Sequence, residues 1–349
     1  MKILFLGEAF HAISIPWISG IEFYSKTKIN ILHISIRKNR FLRILSTIPF
    51  FIKCLKTYFD EPFDICLAYR ATSYGFFSLF VNSRLKVVAQ QGISDVYPPT
   101  LLSILFKSFL KKMTYKNVDL IHAWGHVMVP VMLKYSAHPS KIIVKPKGIN
   151  LNLYTFNAKK NYDFSIIVTR SIEEDYRHVD IIEAAKLLRD TYSQSIKITI
   201  VGGGSLLNKL EQKVKDYSLT KNIEFKGRIS NDHLPQLLRS HSIYLSVPVT
   251  EGVSSSLMEA MASGCIPIVT DLPGNRVFIT PGYNGELVKV KSPCDIADKI
   301  YKVLTNPVKY EKGVLDNRKW IEQHANFHIN MKYFYDLYSK KLLQKCAEL

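Results

Sequence analysis

The apolar positions of the chain fall into short runs rich in β-branched residues, most of them followed by a longer stretch with helical spacing. In the first half the runs occupy residues 2–7, 30–35, 64–68, 86–90, 118–123 and 141–145. Each is short and nearly continuous, the pattern of a strand buried on both faces, and the strand-then-helix alternation predicts parallel βαβ units. The pattern restarts at residues 163–169, 196–202, 223–227, 242–247 and 265–270, separated by helical segments such as 180–192. Between the two halves, KPKGINLNLYTFNAKKN is largely polar and lacks helical periodicity, as a linker should. Two doubly wound α/β domains are therefore expected, over 1–150 and 151–330, joined near 148–160. Residues 331–349 end the chain within an expected closing helix over 318–345, which carries Trp320, Ile321, Phe327, Ile329, Phe334, Leu337, Tyr338 and Leu342.

Composition agrees and narrows the field. With 349 residues, 47% hydrophobic and 22% charged, the chain can bury sizeable cores, which excludes a stapled mini-protein and a disordered chain. Its five cysteines (Cys54, Cys66, Cys265, Cys294, Cys346) are scattered singly, so neither a disulfide framework nor a thiolate metal cluster is expected, and a reducing compartment fits best. The opening MKILFLGEAF is too brief an apolar stretch for a signal peptide, and no run is long enough to predict a spanning helix. The outlier is the net charge of +18: residues 1–158 hold 20 Lys+Arg against 7 Asp+Glu, the remainder 27 against 22. The N-terminal half therefore favours an anionic partner: a membrane surface, a phosphorylated acceptor or a nucleic acid.

The most informative segment is PVTEGVSSSLMEAMASGCIPIVTDLPGNRVFITPGYNGELV, residues 248–288. Ser254 is the natural N-cap of an apolar helix, and the amides near Ser255 and Ser256 would lie at the positive end of its dipole, where a phosphate binds well. Glu259 lies four residues after Ser255 and three after Ser256, on the same helical face. A carboxylate there can accept both hydroxyls of a ribose whose phosphates lie at the helix start. Glu251 stands eight residues before it, beside Gly252.

This segment resembles the E-x7-E element of retaining GT-B glycosyltransferases, in particular glycosyltransferase family 4. The resemblance implies an α/β GT-B fold, two doubly wound Rossmann-like domains facing a cleft, with a C-terminal helix closing back on the N-terminal domain. It implies that Glu251 contacts the transferred sugar and Glu259 holds the nucleotide ribose. IIVTRSIEEDYRHVDIIEAAKLL is similar to the family's diphosphate-gripping strand, arginine and helix, which makes Arg170 the first phosphate ligand. Where the commonest form has lysine then glycine, this chain has Tyr176 at about the lysine position and Arg177 as the nearest basic residue. IKITIVGGGSLLNKLE resembles the family's glycine loop, bringing Gly202, Gly203 and Gly204 beside the nucleotide, and backbone around Arg228 and Ile229 would border the base.

The N-terminal half matches more loosely, as an acceptor domain would if acceptors vary. KVVAQQGISDVYPP resembles a loop that often carries a histidine before a glycine; here that position is Gln91, followed by Gly92, Ser94 and Asp95. Asp95 is the candidate for receiving the acceptor proton, although loop aspartates also serve as turn or cap residues. GEAFHAIS lacks the paired glycines many relatives carry, leaving Gly7 alone, and His11 and His126 are candidate site residues among ten histidines. No metal-ligand spacing appears and the GT-B arrangement needs none, so neither metal nor cofactor is expected beyond the nucleotide-sugar donor.

Residues 99–117 place Leu102, Leu105, Phe106, Phe109, Leu110 and Met113 on one side of a helix with Lys107, Lys111, Lys112 and Lys116 clustered about it; residues 41–59, with Arg43, Lys53 and Lys56, are similar. Such helices can lie in a membrane interface or face a core with a solvated basic edge. The combined expectation is a retaining, hexosyltransferase-type family 4 enzyme acting on a glycan or polyprenol-linked acceptor. Its role would be the assembly of cell-surface polysaccharide such as lipopolysaccharide, O-antigen or capsule. It would be cytoplasmic, at the inner face of the plasma membrane through peripheral contact with anionic lipid, and without nucleic acid. The rivals are a GT-B sugar-nucleotide epimerase, which needs no acceptor, and a basic nucleic-acid-binding protein, for which no stacking or helix-turn-helix signature appears.

Overall fold

A computed structural model describes residues 1–10, 14–34, 45–90, 101–156 and 165–347, with the side chains of 101–104 left aside. The chain divides into two compact units, Met1–Lys147 with Phe327–Leu349, and Gly148–Asn326.

The first unit is built on a six-stranded parallel sheet of order β2-β1-β3-β4-β5-β6. Its strands are β1 (Ile3–Leu6), β2 (Asn30–Leu32), β3 (Phe63–Tyr69), β4 (Ser83–Ala89), β5 (Leu120–Ala123) and β6 (Ile142–Val144). Helices α1 (Ile15–Ser25), α2 (Thr47–Lys56), α3 (Gly75–Ser78), α4 (Leu101–Asn117) and α5 (Val129–Lys134) connect them. Ile3, Phe5, Leu67, Val87 and Ile121 are wholly buried, which is why these strands read as continuous apolar runs.

The second unit repeats the plan in the order β12-β11-β10-β7-β8-β9. Its strands are β7 (Ser165–Thr169), β8 (Lys197–Val201), β9 (Ile223–Gly227), β10 (Ile243–Ser246), β11 (Ile266–Thr270) and β12 (Glu286–Val288). Its helices are α6 (His178–Tyr192), α7 (Leu207–Asp216), α8 (Leu234–Ser240), α9 (Ser255–Ala262), α10 (Pro273–Arg276), α11 (Pro293–Thr305) and α12 (Glu311–His324). Every strand predicted from periodicity is present. β12 is the addition: Glu286 interrupts its apolar pattern, yet is buried with Lys302 at 2.7 Å, Lys299 at 3.1 Å and the Tyr310 hydroxyl at 2.6 Å.

The closing segment 318–345 is not one helix. It breaks after His324, where the Ala325 carbonyl accepts the Ile149 amide at 2.7 Å and Asn326 bridges to Ile149. Apolar spacing runs through the break because each helix buries its own stripe. The second piece, α13 (Phe327–Ala347), belongs to the first unit. There Tyr338 is fully buried, its hydroxyl bonding His122 Nε2 and accepting from Trp17 Nε1. Burial pushes the His122 pKa down to about 3, so the ring is neutral in this aromatic core. The C-terminal helix thus closes back on the N-terminal unit, as the resemblance implies.

Two backbone approaches fix the strand-end loops of the second unit. Gly202 has φ +149°, and a Cβ there would stand 2.2 Å from the Arg170 carbonyl oxygen. A Cβ on Gly274 would stand 2.0 Å from the Gly252 carbonyl oxygen, so the loop after β11 presses on the loop that carries Glu251. Gly202→Ala should therefore displace Arg170 and cost about 1–3 kcal/mol. The thermal midpoint of the purified variant should fall by several degrees, at roughly 2–4 °C per kcal/mol for a domain of this size; an unchanged midpoint would show that the loop has room.

Candidate functional site

In an open parallel sheet a crevice forms where the strand order reverses, outside the carboxyl ends of the strands. In the second unit that point lies between β7 and β10: the chain runs outward from β7 to β8 and β9, then returns to the other side of β7. Arg170 immediately follows β7, and Glu251 lies in the loop after β10. Their side chains form an ion pair between Arg170 Nη2 and Glu251 Oε2, each only 11% and 13% exposed. The guanidinium lies over the Tyr176 ring, 4.8 Å from its centre, so the tyrosine at the expected lysine position steadies the arginine through its π face.

Several polar atoms at these strand ends are buried without a partner among the described residues: Arg170 Nε, Thr169 Oγ1, Ser246 Oγ and both ring nitrogens of His178. Polar atoms of this kind are costly to leave unpaired in a core. Burial, reinforced by the neighbouring Arg170 charge, pushes the His178 pKa down to about 4, so its ring is neutral at neutral pH.

Helix α9 opens beside this pair. Ser254 caps it, its hydroxyl accepting the Leu257 amide at 3.2 Å. The amides of Ser255 and Ser256 lie in the first turn, where helical geometry provides no carbonyl partner and the dipole favours an anion. One turn on, burial pushes the Glu259 carboxyl up to about 7, against the lowering effects of a hydrogen bond from Tyr154 and the charge of Arg170. Arg318 secures this corner, donating to the Tyr154 carbonyl at 2.7 Å and to the Ala262 carbonyl at the end of α9 at 2.9 Å.

The glycine loop after β8 packs on the loop after β7. Ile172 donates to the Gly203 carbonyl at 3.1 Å, and a Cβ on Gly204 would stand 2.1 Å from the Ile172 carbonyl oxygen. Gly203 lies against the exposed side chain of Arg228, with Arg228 Nε 3.1 Å from where its Cβ would be. Ile229 is half-buried against the apolar cluster that includes Leu257 and Met258. The glycine triplet thus serves close packing of the Arg170 loop, whatever it does for a ligand.

Arg177 is placed differently. Its Nε and Nη2 grip the Asp180 carboxylate at 2.9 and 2.8 Å, and Nη1 reaches Glu174 at 3.0 Å, so its fork is already occupied by two acids at the start of α6. Gln91, Gly92, Ser94, Asp95 and His11 lie outside the described residues. His126 is exposed, and Gly7 follows β1, where a Cβ would meet Phe5 and Tyr69. Sequence reading missed Tyr154, His178 and Gly274: the first sits in a segment that reads as linker, the second reads as an ordinary helix start, and the third matters only through a loop distant in sequence.

The comparisons with known proteins meet this geometry. Residues 155–323 match the family described as Glycosyl transferases group 1. The chain is 26% identical over 261 residues to the UDP-N-acetylglucosamine–peptide N-acetylglucosaminyltransferase GtfA subunit of Streptococcus gordonii, covering 70% of this chain and 49% of the other. It is 29% identical over 155 residues to the poly(ribitol-phosphate) alpha-N-acetylglucosaminyltransferase of Staphylococcus aureus, covering 44% and 31%. The matched part thus spans only about a third to a half of the length of these curated relatives. Among solved structures, Anabaena HepE in complex with UDP and glucose superimposes with a TM-score of 0.78 at 14% identity, covering 97% of this chain and 100% of the other. The chain therefore has the GT-B fold, and its residues 155–323, which carry Arg170, Glu251 and Glu259, match the glycosyl transferases group 1.

Proposed function

We propose that the chain is a retaining glycosyltransferase of the family 4 kind. It would move a sugar from a nucleotide-diphosphate sugar to a glycan or polyprenol-linked acceptor in cell-surface polysaccharide assembly. The observation that carries this reading is the convergence, at the switch point between β7 and β10, of Arg170, Glu251 and the start of α9 with Glu259 one turn along. Arg170 and the amides of Ser255 and Ser256 are suited to the charge that grows on a departing diphosphate, a form of catalysis by preorganised donors. Glu259 accepts the ribose hydroxyls and Glu251, with Gly252, orients the sugar. Gly203, Gly204, Arg228 and Ile229 border the base. The protein's own cations and helix dipole meet the leaving-group charge, so transfer proceeds without a metal. Front-face substitution is what the family resemblance implies.

The donor is a UDP-sugar in this proposal, with UDP-N-acetylglucosamine the first to test, as the names of both curated relatives and the UDP bound in the HepE structure suggest. Asp95, with Gln91 and Gly92, is assigned to the acceptor side. Arg177 reaches a phosphate only by releasing Asp180 or Glu174, so it contributes less than Arg170.

The first unit supports peripheral contact with anionic lipid at the inner face of the plasma membrane, and no nucleic-acid partner is proposed. Ile48, Ile52 and Leu55 on α2, Phe59 beyond it, and Leu105, Phe106 and Phe109 on α4 are exposed, Phe59 to 90%. Lys53, Lys56, Lys112 and Lys116 stand exposed among them. Lys111 departs from the expected basic edge: it is buried, its ammonium over the Tyr135 ring at 4.8 Å. Exposed apolar side chains interspersed with lysines along a helix suit a bilayer interface better than a phosphate backbone. Among the described residues no helix is long and apolar enough to cross a membrane.

Three outcomes test these proposals. Glu259→Ala should weaken UDP-sugar binding about 10- to 100-fold in calorimetry with the melting curve intact, as loss of bonds to a charged acceptor predicts; unchanged affinity removes the ribose assignment. Glu251→Gln should leave binding within a few fold but depress acceptor-dependent UDP release by at least about 100-fold, whereas release without acceptor would favour the epimerase. For the membrane contact, Leu105→Glu with Phe106→Glu should cut flotation with phosphatidylglycerol vesicles about tenfold or more. Equal flotation by the double variant excludes that face.

A further inference from the structure

We propose that Tyr154 is a positioning residue of the donor site, its hydroxyl bonded to the Glu259 carboxyl and keeping it turned to accept a ribose. This rests on the assignment of Glu259 to the ribose and adds a residue from outside the E-x7-E segment.

Tyr154 lies in the segment by which the chain enters the second unit, and it is built to stay put. Its amide donates to the Asn150 carbonyl at 3.0 Å, closing a turn, and its carbonyl is held by Arg318 at 2.7 Å. Its ring is 8% exposed and packs in the apolar cluster with Leu257, Met258, Ala262 and Ile321. The hydroxyl is thereby delivered to the Glu259 carboxylate, to which it donates. That bond favours the charged carboxyl, and the negative charge in turn pushes the Tyr154 phenol well above its ordinary range, behind the larger effect of burial. A carboxylate has about four lone-pair sites, so it can keep the tyrosine and still accept two ribose hydroxyls.

The other groups around Glu259 do not duplicate this role. Arg170 acts on it by charge across the site but is paired with Glu251. On α12, Arg318 is turned to the two carbonyls and to Glu322 at 2.6 Å. On α8, Arg239 reaches Thr155 at 3.0 Å. Tyr244 on β10 is wholly buried, and the Cys265 thiol points at the Leu238 carbonyl at 3.1 Å. Tyr154 is the neighbour that donates a hydrogen bond directly to the carboxyl.

The sign of the pH dependence follows. Glu259 titrates near 7 in the free protein, and its ionised form is the one that accepts ribose hydroxyls. Affinity for a UDP-sugar, whose diphosphate carries no titrating proton in this range, should be full above about pH 8 and fall up to tenfold per unit below the midpoint. Tyr154→Phe keeps the ring and removes the donor. The midpoint should rise by about one unit or more, with affinity about tenfold weaker at pH 7 and nearly restored at pH 9.

The test is carboxyl-carbon NMR titration of Glu259 in the free full-length protein, wild type against Tyr154→Phe. It is joined by calorimetry with UDP-N-acetylglucosamine from pH 6 to 9, with Glu259→Gln as the third variant. A raised midpoint in Tyr154→Phe with recovery of binding at pH 9 supports the proposal. Superimposable titrations of wild type and Tyr154→Phe overturn it, whether or not the nucleotide binds. If instead the midpoint shifts while Glu259→Gln binds as tightly as wild type at every pH, Tyr154 does position the carboxyl, and it is the ribose assignment that fails.

Discussion

The ion pair between Arg170 and Glu251 is the constraint around which the second unit is arranged. It joins the ends of β7 and β10, the two strands from which the chain departs in opposite directions, and so spans the mouth of the crevice. Neither member has a fixed helix or strand to stand on. Each is held by backbone pressed against backbone, Arg170 by the loop at Gly202 and Glu251 by the loop at Gly274. The glycines of two separate loops thus do one job, bringing a cation and an anion together where neither is well solvated. In the proposed reading an incoming diphosphate would find a guanidinium already oriented, with its Nε buried and without a partner among the described residues. Binding would exchange one acceptor for another and leave the arginine in place, and such an exchange costs little reorganisation.

How far the sequence discloses this depends on the range of the interaction. Parallel strands buried on both faces announce themselves as apolar runs, and a capped helix start is local chemistry: Ser254 accepts the amide expected of it, with Glu259 on the face expected of it. β12 escapes because its buried glutamate looks like a surface residue until Lys299, Lys302 and Tyr310 are brought to it from later in the chain. The break before α13 escapes because it is made by a hydrogen bond to Ile149, some 175 residues earlier. Tyr154 and His178 escape for the same reason. A tyrosine in a polar segment and a histidine at a helix start acquire meaning only from the side chains that tertiary structure sets beside them.

Arg177 shows the converse, a residue whose type suggests more than its surroundings allow. As the nearest base to Arg170 it fits a phosphate ligand, yet Asp180 and Glu174 at i+3 and i−3 already satisfy it at the left-handed turn that precedes α6. A ligand that needs Arg177 must therefore compete with two carboxylates that are always within reach.

Two glutamates of the same unit, Glu286 wholly buried and Glu259 half-buried, show what separates a structural acid from a candidate functional one. Glu286 is wholly buried, but Lys302, the Tyr310 hydroxyl and Lys299 together outweigh its burial and hold its carboxyl below the usual range, so it is charged within an ion-pair cluster. Glu259 receives one hydrogen bond, from Tyr154, and the more distant charge of Arg170; burial wins and its carboxyl rises to about 7. The two differ both in exposure and in how many donors reach them, and they end in opposite states. A carboxyl left short of donors within a folded unit retains bonding capacity for a ligand, and here it lies one helical turn from amides that favour phosphate. In the proposed reading that shortage, more than the glutamate itself, suits Glu259 to a ribose.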